Sequence, residues 1–339
     1  MSGAREEQRA GGDDWAGTRV LVTGAGGFIG SHLAEALLLA GASVRAFIRY
    51  SSQRSKGNLA ALAREGGGRL EIVYGDLRDA AAVERAAAGC AVVFHLGALI
   101  SIPYSYENPG AYVETNLRGT FHVLEACRRQ GVERCLIAST SEVYGSARYV
   151  PMDEGHPLQA QSPYAATKIG AEKLGESYWR SFGLPVVVVR PFNTYGPRQS
   201  PRAVIPQVLL QLQKGAEIRL GNLAPRRDFL FVADTAAGFM AAARCPEAVG
   251  EAINLGTGRE ISIRDLVFLA GEVLGRKPRI VVEEERVRPP GSEVARLMAD
   301  AGKAARLLDW RPRIDLREGL RLTAAWLAGA PPAGEGYCI

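Results

Sequence analysis

One stretch, Val20 to Gly30, limits what this chain can fold into more than any other. Val20-Leu-Val22 runs through Thr23 into a glycine cluster, and the helix-forming run Ser31-His-Leu-Ala-Glu-Ala-Leu-Leu-Leu-Ala40 follows at once. Apolar strand formers, a tight turn and a helix in immediate succession open a βαβ unit. Gly24, Gly27 and Gly30 are expected to turn the backbone with positive φ and to admit a ligand where a Cβ would stand in the way. The helix then offers its unpaired N–H groups and the positive end of its dipole to a phosphate. The Gly-x-x-Gly-x-x-Gly spacing is one residue wider than the usual fingerprint. Its place between a buried-type strand and a helix nevertheless predicts dinucleotide binding, with Phe28 and Ile29 in the same turn.

The remaining strands and helices follow in alternation. Ser43–Arg49 reads as the second strand, and its end is where an acid would hold the ribose 2′-hydroxyl of NAD. No acid stands there: Arg49, Tyr50, Ser51 and Ser52 follow, with Arg54 behind. An arginine flanked by hydroxyls suits a 2′-phosphate, so NADP is favoured; the alternative is a solvated basic loop with NAD bound less selectively. Leu70–Tyr74 is a third strand ending in Gly75-Asp76-Leu77, where Asp76 can accept from an adenine amino group or cap a helix, although Asp79 opens the next helix better. Ala91–Leu96 carries no charge, as a central parallel strand should, and ends at Gly97-Ala98, small residues that let a nicotinamide pass. His95 reads as a packed strand histidine. Asn116 opens Asn-Leu-Arg-Gly-Thr, within a helix that runs to Arg129.

A fifth strand, Arg134–Ser139, delivers Thr140, Ser141 and Glu142 at its carboxyl end, where open α/β sheets bind ligands. Ser162-Pro163 is a strong helix start, which puts Tyr164 and Lys168 one turn apart on one face. Leu184–Arg190 is the sixth strand. Beyond Pro191 the alternation loosens into shorter elements: a helix over Ala203–Lys214, strands at 218–220 and within 225–232, a helix from Asp234 to about Arg244, a strand Ala252–Leu255 and a helix Lys303–Leu308. The expected fold is α/β: a Rossmann-like doubly wound parallel sheet with a smaller, interleaved C-terminal substrate lobe. Residues 17–190 with about 228–256 form the dinucleotide-binding part, and about 191–227 with 257–330 the lobe.

Composition narrows the function class. The 339 residues suffice for a sizeable core. The net charge of +5 is spread along the chain, which fits an anionic small ligand and argues against a nucleic-acid groove. Cys90, Cys127, Cys135, Cys245 and Cys338 show no Cys-x-x-Cys pairing and read as thiols of a reducing, cytoplasmic compartment, with no metal expected. No apolar run approaches the ~18 residues of a membrane span. Residues 1–16 are polar and Gly-rich, a disordered leader without the apolar core of a signal peptide.

A tyrosine and a lysine one turn apart, with a hydroxyl on the neighbouring strand end, form a hydroxyl-activating set. The Lys168 charge is expected to lower the Tyr164 pKa, so that the phenolate takes a proton from an alcohol, while Thr140 bonds the same oxygen. Beside a nicotinamide such a set performs carbonyl–alcohol hydride transfer.

The stretches Val-Thr-Gly-Ala-Gly-Gly-Phe-Ile-Gly (22–30), Gly-Asp-Leu (75–77), His-Leu-Gly-Ala (95–98), Asn-Leu-Arg-Gly-Thr (116–120), Ser-Thr-Ser-Glu-Val-Tyr-Gly (139–145), Ser-Pro-Tyr-Ala-Ala-Thr-Lys (162–168), Arg-Pro-Phe-Asn-Thr-Tyr-Gly-Pro-Arg (190–198) and Arg-Asp-Phe-Leu-Phe-Val-Ala-Asp (227–234) carry a resemblance. Over about residues 17 to 328 the chain resembles the extended short-chain dehydrogenase/reductases that act on nucleotide-linked sugars. Glu142 selects the subgroup. Sugar 4-epimerases usually carry a small residue there, whereas 4,6-dehydratases carry a glutamate. Thr-Ser-Glu is similar to GDP-mannose 4,6-dehydratase and departs from dTDP-glucose 4,6-dehydratase, which has Asp where this chain has Ser141. That leaves Glu142 working alone or through a water. The span 161–198 and Arg288-Pro-Pro-Gly-Ser-Glu293 resemble dehydratases of nucleotide-linked N-acetylglucosamine in legionaminic-acid-type routes.

The resemblance implies that Tyr164 deprotonates the sugar 4-hydroxyl as hydride passes from C4 to NADP⁺, that Glu142 removes the C5 proton as water leaves C6, and that the hydride returns to C6. It implies a tightly held NADP, or NAD, regenerated in each turnover. The cofactor set is Gly24, Gly27, Phe28, Ile29, Gly30, Arg49, Ser51, Ser52, Asp76, Leu77, Leu96, Gly97, Ala98, Asn116, Tyr164, Lys168 and Pro191. Asn193 and Arg227 meet the substrate diphosphate and Arg288 the nucleotide end. Arg202 joins them, although it, Arg198 and Arg226 also read as solvated surface arginines. UDP- or GDP-N-acetylglucosamine is the expected substrate. The rivals are a 4-epimerase with the same Tyr and Lys, and a non-catalytic NADP sensor, a class that commonly loses one of those two residues. Helices at about 111–130 and 162–182 suit pairing across a two-fold axis, so a homodimer is expected.

Overall fold

The computed structural model describes residues 15–65, 68–283 and 293–329. Its centre is a seven-stranded sheet built from β1 (Arg19–Thr23), β2 (Ser43–Arg49), β3 (Leu70–Gly75), β4 (Val92–His95), β5 (Arg134–Ala138), β6 (Val186–Pro191) and a late strand, here β11 (Ala252–Leu255). The order across the sheet is β11-β6-β5-β4-β1-β2-β3, and every pairing within it is parallel. The order reverses between β1 and β4, so the carboxyl ends of those two strands open the crevice where such sheets take ligands.

Alternate side chains explain why helices cover both faces. Val20 and Val22 enter one core with Leu33 and Leu37 of α1 (Phe28–Leu39), together with Phe94, Val187, Val189 and Ile253. Leu21 enters the other with Val93, Ile137, Val186 and Val188, packed under α2 (Ala80–Ala87), α4 (Gly119–Gln130) and α5 (Pro163–Phe182). Burial of each such side chain stabilises by roughly 1.5–3 kcal/mol. Between α2 and α4 the chain runs through a short helix, α3 (Ile102–Glu107), and a π-helical turn at Val113–Arg118, so the part of the expected helix that holds Asn116 is a π turn.

The polar leader ends earlier than its composition suggests. Trp15 is 3% exposed; its ring lies 6.0 Å from that of Phe94, under the Arg244 guanidinium at 4.6 Å. The rest of the leader, residues 1–14, and Cys338 lie outside the described residues.

A second core gathers the shorter elements. Ile205, Val208, Leu209 and Leu212 of α6 (Val204–Lys214) meet Ile218, Phe229, Phe231, Leu266, Val267 and Leu320. The stretch expected as one strand within 225–232 is two, β9 (Arg226–Arg227) and β10 (Phe229–Phe231), because Asp228 interrupts it. The Asp228 carboxylate is fully buried and accepts from Thr257 N and Oγ1, Gly258 N and Ala299 N, which anchors β9 to the strands on either side.

Candidate active site

The crevice between β1 and β4 is shaped by missing side chains. Gly24 has φ +68°, and a Cβ there would stand 2.8 Å from Gly97 Cα. A Cβ on Gly30 would lie 2.3 Å from the Gly24 carbonyl oxygen, and one on Gly97 would lie 2.8 Å from Leu77 Cδ1. Contrary to expectation, Gly24 alone of the fingerprint glycines has positive φ. Gly27 is the extended N-cap of α1 at φ −78°, and Gly30 lies inside the helix, where its role is close packing. α1 has neither a side-chain cap nor an acid in its first turn, so its leading N–H groups face the crevice without a competing anion. This cradle fits a dinucleotide. Phe28 and Ile29 are half-buried against the second core, while Leu96, Gly97 and Ala98 form the opposite wall after β4.

At the outer end, Arg49 is the exposed last residue of β2, in register with Gly75 of β3. Asp76 follows Gly75, and its carboxylate takes Arg78 in a fork, with Nη2–Oδ2 at 2.7 Å and Nε–Oδ1 at 2.9 Å. That bonding, with the nearby Arg49 charge, holds Asp76 below the usual carboxylate range. The helix cap is Asp79, which accepts from Ala82 N at 3.1 Å. Ser52 is exposed and Ser51 Oγ accepts from Ser55 N. Leu77 is buried, and its carbonyl accepts from His122 Nδ1 at 2.8 Å.

The wall behind the crevice is a closed polar chain. Gly97 N–H donates to Thr23 Oγ1 at 3.0 Å, and the Thr23 hydroxyl lies 2.8 Å from His95 Nδ1. His95 Nε2 lies 3.0 Å from Thr120 Oγ1, whose own proton goes to Asn116 O at 2.5 Å. Thr120 therefore accepts from Nε2–H, and Nδ1 accepts from Thr23: a neutral imidazole with both nitrogens used. Burial, helped by the Lys168 charge, lowers the His95 pKa to about 3. Asn116 is also fully engaged. Its amide bonds Leu99 N at 2.8 Å, Leu99 O at 2.9 Å and Thr167 Oγ1 at 3.1 Å, so its side chain clamps the strand-end loop to α5.

The residues expected to be catalytic come together at the end of β5. Thr140 caps a 3₁₀ turn, Ser141–Tyr144, by accepting from Glu142 N at 3.2 Å, and its side chain hydrogen-bonds Tyr164. Ser141 is 2% exposed and Glu142 half-buried, with its charge felt at the Tyr164 phenol. One expectation is overturned. Burial raises the Tyr164 pKa well above the ordinary phenol value; the Thr140 bond opposes this, and Glu142 and Tyr112 add to it. The Lys168 charge is directed elsewhere: Nζ donates to Ala138 O at 2.5 Å. Burial lowers Lys168 to about 8, against the opposing pull of the Glu172 carboxylate.

On the far side Pro191 is the buried end of β6, and Asn193 begins β7 (Asn193–Tyr195), with Oδ1 buried and without a hydrogen-bond partner. Arg227 is 7% exposed, with Nη1 on Arg226 O at 3.0 Å and Nη2 3.5 Å from Glu293. Arg202 is exposed. Arg198 turns to α1, where Nη2 pairs with Glu35 at 2.6 Å, and Arg226 pairs with Glu260 at 2.7 Å. Arg288 lies outside the described residues. Sequence reasoning missed Glu172 and Arg190, although position 172 continues the four-residue spacing of Tyr164 and Lys168.

Residues 21–323 match the family model described as GDP-mannose 4,6 dehydratase. A dTDP-glucose 4,6-dehydratase of an Actinoplanes species is 35% identical over 315 residues, covering 91% of this chain and 97% of that protein. The solved dTDP-glucose 4,6-dehydratase DesIV of Streptomyces venezuelae, with NAD bound, superposes with TM-score 0.82 at 32% identity, covering 92% of this chain and 97% of that one. A UDP-N-acetylglucosamine 4-epimerase of Methanobrevibacter ruminantium, solved with UDP-N-acetylmuramic acid, gives TM-score 0.82 at 30% identity, covering 92% and 99%.

Proposed function

The chain belongs to the GDP-mannose 4,6 dehydratase family, nucleotide-sugar enzymes of the extended short-chain dehydrogenase/reductase type, and from that premise we propose that it converts a nucleotide-linked hexose to its 4-keto-6-deoxy derivative. The observation that carries this reading is Glu142, a carboxylate beside the Thr140–Tyr164 pair at the end of β5. A nicotinamide cofactor, when bound, supplies reversible hydride acceptance; Gly24, Gly27, Phe28, Ile29 and Gly30 would hold its diphosphate, and Leu96, Gly97, Ala98 and Pro191 its nicotinamide half. Thr140 and Tyr164 bind the sugar 4-hydroxyl, and Tyr164 takes its proton. With C4 as a ketone the C5 hydrogen is acidic. Glu142 removes that proton and donates one to the departing C6 hydroxyl, which leaves as water. The C5=C6 double bond so formed then takes back, at C6, the hydride lost from C4 and, at C5, a proton from solvent, which gives the 4-keto-6-deoxy product and restores the oxidised cofactor. Acid–base help of this kind contributes about 10²–10⁴-fold.

Arg49, with no acid at the end of β2, supports NADP over NAD, while the related DesIV was solved with NAD. The buried orphan Oδ1 of Asn193 and the buried Arg227 support a diphosphate site, in a substrate lobe formed by residues 191–227 and 257–330. UDP- or GDP-N-acetylglucosamine remains the proposed substrate. Exposed Phe121 on α4 and Phe182 on α5, 42% and 57% accessible, support a homodimer through those helices. Among the described residues no helix is long and apolar enough to cross a membrane. The free thiols Cys90, Cys127, Cys135 and Cys245 support a cytoplasmic setting.

The test is turnover of UDP-N-acetylglucosamine, GDP-mannose and dTDP-glucose in heavy water, read by NMR. Dehydration with deuterium entering at C5 is expected, and Glu142→Gln should lower its rate about 10²–10⁴-fold. The similarity to a 4-epimerase supports a second reading. Inversion at C4 with no deuterium at C5 would establish that one and exclude the dehydratase.

A further inference from the structure

Behind the catalytic corner lies a buried ion pair that the reaction above does not use. Glu172, 4% exposed, follows Tyr164 and Lys168 on the same face of α5, one turn beyond the lysine. Its carboxylate receives Arg190 of β6 in a fork, Nη2–Oε2 at 2.6 Å and Nε–Oε1 at 2.9 Å, and Oε1 also accepts the hydroxyl of Ser139, the residue before Thr140. Arg190 is held in turn: Nη1 donates to Tyr144 Oη at 2.8 Å, and that hydroxyl donates to Asn254 Oδ1 at 2.7 Å. The Lys168 ammonium sits on Ala138 O, the carbonyl preceding Ser139. A buried pair with this many bonds is costly to assemble and often no more stable than apolar packing. Its position therefore asks for a role.

We propose that Glu172 is a positioning residue of this active site: its carboxylate, fixed by Arg190 and Ser139 one helical turn from Lys168, is the counter-charge that, without a direct ion pair, keeps the ammonium charged on Ala138 O at the end of β5. This rests on the reading above only in placing Lys168 against the cofactor. The other titratable groups around the cluster are His95 and Tyr164 beside Lys168, Glu142 beyond Tyr164, and Tyr144 and Glu154 beside Arg190. The imidazole of His95 is neutral, and burial, against the opposing pull of their hydrogen bonds, leaves the phenols of Tyr164 and Tyr144 protonated near neutral pH. Glu172 is the carboxylate whose charge favours the ammonium form of Lys168.

The test is the affinity of the 339-residue chain for NADPH and NADH in parallel, followed by nicotinamide fluorescence from pH 6 to 10 with whichever binds, with thermal unfolding measured alongside. In the parent, affinity should fall as pH rises through about 8, where Lys168 loses its proton. Glu172→Gln should move that limb down by about 0.5 pH unit or more, weakening binding about 1.5-fold at pH 7.5 and about 3-fold at pH 9. Glu172→Asp, which keeps the charge, should leave the limb in place. If Glu172→Gln leaves Arg190 stranded and unfolds the chain, the double variant Glu172→Gln/Arg190→Met removes both charges and gives the same readout. A folded Gln variant, single or double, with an unmoved limb overturns the proposal. A parent that binds NADPH or NADH but dehydrates no sugar nucleotide counts against the dehydratase reading, while the binding limb still decides this one.

Discussion

A buried phenol is costly to ionise, and the proposed reaction asks Tyr164 to become a base with the Glu142 carboxylate near enough to oppose its charge. The Thr140 hydroxyl is the contact that favours the phenolate, so Thr140→Val should raise the Tyr164 pKa further. The rising limb of kcat against pH would then move to higher pH; a profile with that limb in place would remove Thr140 from the proton path. The residue types Thr140, Glu142, Tyr164 and Lys168 were legible because their spacing is fixed by one strand end and one helix turn. Their charge balance was not. A lysine one turn from a tyrosine invites the inference that its field acts on the phenol, but Lys168 bonds the Ala138 carbonyl and is opposed by Glu172, which no spacing rule links to β5.

At the scale of the element, two devices shape the crevice: the glycine turn into α1 and the π turn at Val113–Arg118. Gly30→Ala would drive a methyl group into the Gly24 carbonyl at 2.3 Å, backbone against backbone. Overpacking of this kind costs about 1–3 kcal/mol, and NADH affinity should drop with it; titration calorimetry showing parental affinity would contradict the cradle. The π turn carries Asn116, whose amide bonds both backbone groups of Leu99. Asn116→Ala should cost about 1–3 kcal/mol in urea unfolding, because it strands partly buried backbone groups, and should weaken NADH binding indirectly by loosening 96–99. The strand–turn–helix was readable from glycine spacing and apolar runs. The π turn was not: it inserts one residue into a helical pattern without changing which residues are apolar, and π turns are frequent at functional sites.

For the whole molecule, two histidines make stability depend on pH. Buried His95 is depressed to about 3 and half-buried His32, on α1 and near Arg198, to about 4, each from 6.5 and chiefly by burial. Below pH 6.5 the unfolded chain takes protons that the folded chain refuses, so stability is complete above 6.5 and falls as pH drops. The slope should approach about 1.4 kcal/mol per pH unit for each histidine. Urea midpoints measured at pH 7.5, 6.5 and 5.5 should fall mainly over the second interval; a flat profile would mean that these imidazoles are not held neutral in the folded chain. At this scale the parallel sheet was legible from the alternation of charge-free strands with helical runs, because a strand buried on both faces cannot carry charge. The return of Ala252–Leu255 beside β6 and the burial of Trp15 depend on contacts between residues far apart in the chain. By itself the sequence determined the glycine turn between β1 and α1, the placement of Thr140, Ser141 and Glu142 at a strand end and the two-faced sheet, since each follows from local periodicity and spacing. Only the tertiary structure decided which charges face each other, as it joined Glu172 on α5 to Arg190 on β6 and turned Arg198 away to Glu35. Coulomb and desolvation energies depend on separation and burial in space, and neither is written in the order of the residues.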